Sequence, residues 1–453
     1  MSGHTSLTEA LARRALEPQL DAMPDDVLQI AAQALLDWYS LVLASRGDAS
    51  TVALREWVEE GGGAPQAALI GSNTRCRIGD AALVNGTASH LLDFDDAHLP
   101  SRVHPSVPLW PAILALAEWR DLSGAALLAA FVAGVEVQSR LARAMGASHY
   151  SVGWHNTSTI GSIGATAAAA RLLNLSVEQC MHAFGLAATQ AGGLRASFGT
   201  PAKPLHAGRA ASNGLFSAQM AERGYEGARD IFDRADGYPA VTAREFQPDR
   251  AFAQPEHWEV RDIVFKYHAS CYGTQAPIDA VLAAAEAFDR PVADAVESVA
   301  VTVETQYLSV CNVASPTTSA QAKFSIRHTV ALALAGYDTL SEASFSPEAC
   351  ADPLLSALRE KVSVTGCDAM SRANAEVVLK LRNGRAHTTR ADASVPERDL
   401  VRQEKRLREK SARLLAGHVD ASRIGALQDQ LLWAGSARSI ATWHPGVQRL
   451  LGI

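Results

Sequence analysis

The sequence is short of the features that mark several whole classes of protein. Six cysteines are scattered through it, Cys76, Cys180, Cys271, Cys311, Cys350 and Cys367, and none sits in a C-x-x-C pair. That pattern excludes a disulfide framework and a cysteine-bound zinc or iron–sulfur cluster, and it fits a reducing compartment. Lys and Arg never form a run long enough to track phosphates, and the net charge is −7 with a pI of about 6.1. Nucleic acid is therefore not an expected partner. Between Met1 and Leu20, His4, Glu9, Arg13, Arg14 and Glu17 interrupt the apolar positions, so the uninterrupted apolar core of a secretory signal is missing. The most apolar stretches, Ala125 to Val137 and Ile160 to Leu173, fall short of the roughly 20 residues that span a bilayer. They are expected as buried helices, with no membrane partner and a cytoplasmic location. Repeats, coiled-coil heptads and low-complexity tails are also lacking.

What is present is a globular composition on a long chain. At 453 residues the chain exceeds the roughly 250 to 300 at which one hydrophobic core stops growing, so two domains are expected. From about Leu7 to Arg223, Ala and Leu recur with helical spacing, as in Val27, Ile30, Ala31, Ala34, Leu35 and Tyr39. Gly161 to Leu173 has small residues all round, which suits a central helix that its neighbours approach closely. Near Phe265 the texture changes. Val299 to Thr305 is rich in β-branched residues, while Val377 to Leu381 and Ala386 to Arg390 flank an Asn383-Gly384 turn. Helices are expected over Ala276 to Phe288 and Ala320 to Leu334. After Pro396, charged helix formers return from Glu397 to Leu415. The predicted fold is mainly α: a large all-helical domain over residues 1–265, completed by 396–453, plus a smaller α+β lid domain over 266–395.

Four places put ionisable residues where a plain helical protein would use alanine or leucine. The first is His90-Leu91-Leu92-Asp93-Phe94-Asp95-Asp96-Ala97-His98, followed by His104-Pro105-Ser106. If the helix continues, Asp93 and Asp96 share a face with His90. The spacing is neither H-E-x-x-H nor an EF-hand loop, so no metal is expected. A bland alternative is a helix end in solvent. The second place is Gly153-Trp154-His155-Asn156-Thr157-Ser158-Thr159, leading into the small-residue helix. Thr157, Ser158 or Thr159 can cap that helix, and its first amides would attract a carboxylate. The third is Gly199-Thr200-Pro201-Ala202-Lys203-Pro204-Leu205-His206, where two prolines stiffen a loop that presents Lys203 ahead of a helix. The fourth is Lys266-Tyr267-His268-Ala269-Ser270-Cys271-Tyr272-Gly273-Thr274-Gln275, at the expected domain boundary, where ligand clefts are common.

In order and spacing, LLDFDDAH with HPS, GWHNTSTIGSIGA, FGTPAKPLHAGRAA and KYHASCYGTQAPIDA resemble the signature segments of the MmgE/PrpD superfamily, from about residue 7 to 395. The GWH and KPLH segments look more like the cis-aconitate decarboxylase and iminodisuccinate epimerase branch than the longer 2-methylcitrate dehydratases. The resemblance implies a homodimer of two-domain chains with a cofactor-free site in the interdomain cleft. It also implies catalytic roles for Asp93, His104, His155 and Lys203, with His206, His268, Gln275, Thr157 and Ser158 binding substrate. Gln275 stands where the family has a histidine, and an amide cannot exchange protons near neutrality; either His268 substitutes or the chemistry differs.

The reaction expected from this resemblance is a lyase reaction, dehydration or decarboxylation, on a small di- or tricarboxylate through a carbanion beside a carboxylate. Such an intermediate needs a clamp for the carboxylate and a proton-transfer group. Lys203 and the amides ahead of Ile160 are assigned the clamp, His104 and His155 the proton, and Asp93 the orientation of His104. The alternatives are an epimerase of an iminodisuccinate-like acid, a non-catalytic binding or scaffold homologue, and a metal-dependent hydrolase.

Overall fold

The computed structural model describes residues 6–17, 23–288 and 292–452; His4 and residues 18–20 of the amino-terminal stretch weighed above lie outside them. The chain divides into two compact units. The first comprises Met1–Leu91, Asp95–Ile263 and Arg398–Ile453, the second Leu92–Phe94 and Val264–Glu397. The first is helical and the second holds a small mixed sheet, the mainly α fold with a smaller α+β part that the periodicities predict.

Six helices build the centre of the first unit: α1 (Asp25–Ala44), α2 (Ile78–His90), α3 (Ser106–Arg120), α4 (Gly124–Met145), α5 (Asn156–Leu172) and α6 (Ala202–Glu222). Apart from Arg171, every residue of α5 is buried, because its alanines, glycines and serines let α3, α4 and α6 close around it. Where α2 meets α6 the backbones nearly touch. A Cβ on Gly208 would lie 2.1 Å from the Leu83 carbonyl oxygen, and one on Gly86 would lie 2.8 Å from the Gly208 Cα. Any larger residue at that crossing would push apart two helices whose ends carry the polar site. The apolar stretch expected to stop near Val137 continues to Met145, so α4 is 22 residues long, and α1 is 20. Both are long and apolar enough to cross a membrane by length and composition, but 89% and 83% of their most apolar windows are buried within the fold. The returning helix Leu400–Leu415 packs on α1, with Ser40 Oγ donating to Ser411 Oγ over 2.8 Å and the Lys410 ammonium 2.6 Å from Asp37.

The second unit opens with α7 (Tyr272–Glu286), followed by β1 (Val296–Val303), α8 (Ser319–Lys323), α9 (Ile326–Leu334), β2 (Val362–Gly366), β3 (Asn374–Leu381) and β4 (Ala386–Asp392). The sheet order is β2-β1-β3-β4, with β1 and β2 parallel and the other pairs antiparallel. The β3–β4 hairpin turns through Gly384, whose φ of 82° is left-handed, as the Asn-Gly pair predicts. One expected element breaks: the helix read over Ala320 to Leu334 is two helices, because Ser325 leaves the helical region and its side chain caps α9 by accepting from the His328 amide.

Candidate active site

The polar centre of the first unit collects at helix ends. α2 stops at His90, so the helix expected to run through Asp93 and Asp96 does not exist. Asp93 instead adopts a left-handed backbone with φ of 53°, which a short polar side chain tolerates. The chain then turns, and Asp95 and Asp96 are fully buried.

Asp95 is the hub. One of its carboxylate oxygens lies 3.0 Å from His90 Nδ1, and the other lies 2.9 Å from His104 Nδ1. His104 Nδ1 is also 2.7 Å from the Asp96 carbonyl oxygen, which can only accept, so this nitrogen carries a proton. The same reasoning gives His90 a proton on Nδ1, facing the carboxylate. Both imidazoles, when neutral, therefore keep their lone pair on Nε2. His90 Nε2 is buried and has no hydrogen-bond partner among the described residues. Burial drives the His90 imidazole down to about 4, against the pull of Asp95 and with a further push from Lys203. His104 is different in exposure: a fifth of its side chain, 20%, reaches solvent.

His155 stacks on His90 with ring centroids 5.8 Å apart and lies 3.1 Å, Nδ1 to Nδ1, from His206. Burial holds His155 well below its ordinary value, helped by His90 and Lys203. His206, half-buried, is lowered by burial and then by Lys203. Lys203 and His206 are three residues apart on the first turns of α6, so they share a face. Lys203 is thus on a helix and not on the loop expected from its flanking prolines; Pro201 is the cap and Pro204 lies within the first turn, where a missing N–H costs nothing. Its ammonium also lies 5.5 Å from the Phe198 ring centre.

The hydroxyls expected to cap α5 do something else. His155 is the cap residue, without a side-chain cap bond, and Thr157, Ser158 and Thr159 lie inside the helix. Thr157 Oγ1 accepts from the His104 amide at 3.2 Å, tying the His104 segment to α5. Ser158 Oγ donates to the carbonyls of Gly192 and His206, steadying the start of α6. Asp96 accepts from the Ser106 amide and hydroxyl at 3.1 and 2.7 Å. Burial raises its carboxyl to about 7 despite those bonds.

The remaining predicted residues belong to the second unit. There Lys266 Nζ donates to the Asp93 carbonyl at 2.5 Å and lies 3.4 Å from its carboxylate. The carboxylate at His104 Nδ1 is thus that of Asp95, and the Asp93 side chain reaches an ammonium; D-F-D-D offers three acids, and only the left-handed turn at Asp93 decides which one faces the imidazoles. Gln275 is consumed by its own loop: Oε1 accepts from the amides of Tyr267 and His268, and Nε2 donates to the carbonyls of His268 and Ser270. His268 has both ring nitrogens engaged, 2.7 Å from Thr339 Oγ1 and 3.1 Å from Asp279 Oδ1. Both side chains are thus tied to residues of their own unit.

Among the described residues, two groups have ligand atoms close enough to grip a cation, His90–Asp95–His104 and His98–Glu259–Asp262, each within 4.8 Å. In the second, the Arg143 guanidinium already bonds both carboxylates, at 2.9 and 3.3 Å. In the first, the Nδ1 atoms facing Asp95 carry protons that a metal would have to displace.

The helical unit thus brings together His90 and His104 beside the buried Asp95, with Lys203, His155 and His206 alongside. The chain belongs to the MmgE/PrpD family. The family's N-terminal domain matches residues 9–251 and its C-terminal domain residues 268–431. It is 32% identical over 297 residues to the cis-aconitate decarboxylase-like protein oryM of Aspergillus oryzae, covering 61% of this chain and 61% of that protein. It is 30% identical over 329 residues to the cis-aconitate decarboxylase of Mus musculus, covering 69% of this chain and 66% of that one. With the Homo sapiens cis-aconitate decarboxylase the identity is 40% over 168 residues, 36% of this chain and 35% of the other. The matched stretches span less than two thirds of the length of each of these relatives.

Proposed function

We propose that the chain is a lyase acting on a small di- or tricarboxylate, with decarboxylation of a cis-aconitate-like acid the leading reaction. The observation that carries this reading is the pair His90 and His104, each with a proton on Nδ1, one facing the Asp95 carboxylate and the other the Asp96 carbonyl, beside Lys203. Loss of carbon dioxide leaves an electron pair on carbon, and a neighbouring carboxylate or alkene spreads that charge. Lys203 stabilises it where it accumulates, an interaction stronger in the transition state than in the ground state. His104, with the Asp95 carboxylate 2.9 Å from its Nδ1, is the group that returns a proton to the carbon. His155 and His206, neutral in the free protein because of burial and Lys203, gain protons more readily when an anionic substrate enters, and so serve as additional carboxylate donors. Asp93 takes the role of partner to Lys266, and the orienting of His104 passes to the Asp96 carbonyl, with the Asp95 carboxylate 2.9 Å from the same nitrogen.

Incubating the protein with cis-aconitate, 2-methylcitrate, citrate and iminodisuccinate in deuterated buffer, followed by magnetic resonance of the mixture, tests the assignment. A product lacking one carboxyl group and carrying deuterium at the new C–H supports it. Exchange of an α-hydrogen in recovered substrate without consumption indicates an epimerase. Lys203→Ala should lower kcat/KM by about 10²-fold or more, the scale of losing a charge-stabilising donor; near-normal turnover would refute the clamp.

A further inference from the structure

Within the second unit, Cys271 and Cys311, forty positions apart in sequence, bring their sulfurs to 3.3 Å, with the Cys311 thiol donating to Cys271. Both are buried, at 8% and 0% exposure. The two are not equivalent. Cys271 is the cap residue of α7, a 15-residue helix whose first amides favour negative charge, and the Gly273 amide bonds its sulfur. The Cys311 thiol bond lowers Cys271 most, against burial and Asp93, with the Gly273 amide and Lys266 also favouring the thiolate; Cys311 is raised well above its ordinary value. Gly273 leaves room for the pair, since a Cβ there would lie 3.0 Å from the Cys311 sulfur. Backbone bonds fix both residues: the Cys271 amide donates to the Lys323 carbonyl at 3.0 Å, and the Ile326 amide donates to the Cys311 carbonyl at 2.8 Å.

We propose that Cys271 and Cys311 are a redox modification site, closing to a reversible intramolecular disulfide when the protein meets a hydroperoxide or a low-molecular-weight disulfide. The sulfurs need approach by about an ångström to reach the bond length of about 2.05 Å. With a hydroperoxide, the Cys271 thiolate attacks the terminal oxygen, the O–O bond breaks, and the alkoxide or hydroxide takes up a proton and leaves. Cys271 is then a sulfenic acid. The Cys311 sulfur attacks it, the S–O bond breaks, and hydroxide leaves as water with the Cys311 proton. Two thiols lose two electrons and the peroxide gains them. With a low-molecular-weight disulfide, Cys271 displaces one thiolate and Cys311 the second, by the exchange chemistry of ordinary dithiols. The closed form staples the start of α7, five residues after Lys266, to the segment ahead of α9.

The test uses the full-length reduced protein, treated with equimolar hydrogen peroxide and, in parallel, with oxidised glutathione, then alkylated and digested without reductant. The expected result is a crosslinked Cys271–Cys311 peptide, a fall in titratable thiols from six to four, and full reversal by dithiothreitol. In Cys311→Ser the expected species is Cys271 trapped as sulfenic acid or as the glutathione adduct, with no crosslink. The wild-type arm needs no variant to fold. A thiol count that stays at six, preferential oxidation of the part-exposed Cys367, or a persistent Cys271 adduct without crosslinking in the wild type would overturn the proposal.

Discussion

Two of the histidine–carboxylate clusters among the described residues of the helical unit are balanced in opposite ways. Around Glu259, arginine does the work: Arg143 bonds both Glu259 and Asp262, His98 Nε2 sits 3.3 Å from Glu259, and His257 reaches Asp262 at 2.9 Å. Around Asp95 the facing groups are two imidazoles. A guanidinium cannot release its proton near neutrality, so the first arrangement is a fixed ion network. An imidazole can, so the second can exchange a proton with whatever binds beside it. The difference is the counter-group: two acids and two histidines gather around Arg143 in the first cluster, and one acid faces two histidines in the second.

Disabling one cluster at a time separates their roles. His104→Asn keeps the size and the Nδ1-side donor of the ring while removing the proton-accepting nitrogen. Turnover of the productive carboxylate should fall by about 10²- to 10⁴-fold with little change in thermal midpoint. Glu259→Gln should do the reverse. Loss of about 3 kcal/mol of stability is expected, the low end for breaking a buried pair because Arg143 is 27% exposed, with turnover changed only a few-fold. Denaturant titration and steady-state kinetics on the two variants check the crossover; equal activity losses would erase the distinction.

The same contrast has a pH signature. Burial is the largest influence on Glu259 and raises it, but the bonds from His98 and Arg143 outweigh burial and hold it at about 2, against an ordinary 4.5. A lowered carboxylate adds stability that is fully present above 4.5 and fades as pH falls toward 2. His90 is a base pushed down by burial, from 6.5 to about 4, so the folded state binds fewer protons than the unfolded one and stability declines as pH drops from 6.5 toward 4. Glu259→Gln should therefore flatten the acid limb of the stability curve below 4.5, whereas His90→Gln should flatten the limb between 6.5 and 4. Melting midpoints measured across that range separate the two. The smallest effect expected is that of a chelator: if the Asp95 cluster handles protons and not a cation, prolonged dialysis against EDTA leaves the rate within experimental scatter. A rate abolished by EDTA and restored by zinc or manganese would assign His90, Asp95 and His104 as ligands instead.

Periodicity and turn chemistry made the fold legible: alternation at β1, the Asn383-Gly384 hairpin and the alanine-rich α5 all pointed to their elements. The helix break at Ser325 was not legible, because the hydrophobic repeat runs through it and only the cap reveals the stop. In the site, His104, His155 and Lys203 stood out as ionisable residues in apolar surroundings, and the structure gathers them in one unit with His206. Asp95 was hidden among three neighbouring acids, since a left-handed residue two positions earlier reverses which side chains point inward. Gln275 looked like a chemical departure, yet its four backbone bonds make it a loop fastener. Cys271 and Cys311 carried no spacing signal at all, because their meeting depends on α7 and the segment before α9 packing together.

The Asp95 carboxylate and the Asp96 carbonyl fix two imidazoles, His90 and His104, with protons on Nδ1 and lone pairs on Nε2. Long-range proton–nitrogen correlation of ¹⁵N-histidine-labelled protein near neutral pH, with His90→Gln and His104→Asn for assignment, reads this directly. Both rings are expected to be protonated at Nδ1 and bare at Nε2, and the His90 pattern is expected to change in Asp95→Asn while the His104 pattern, set by the Asp96 carbonyl, persists. Rings protonated at Nε2, or a His90 pattern indifferent to Asp95→Asn, would contradict this arrangement.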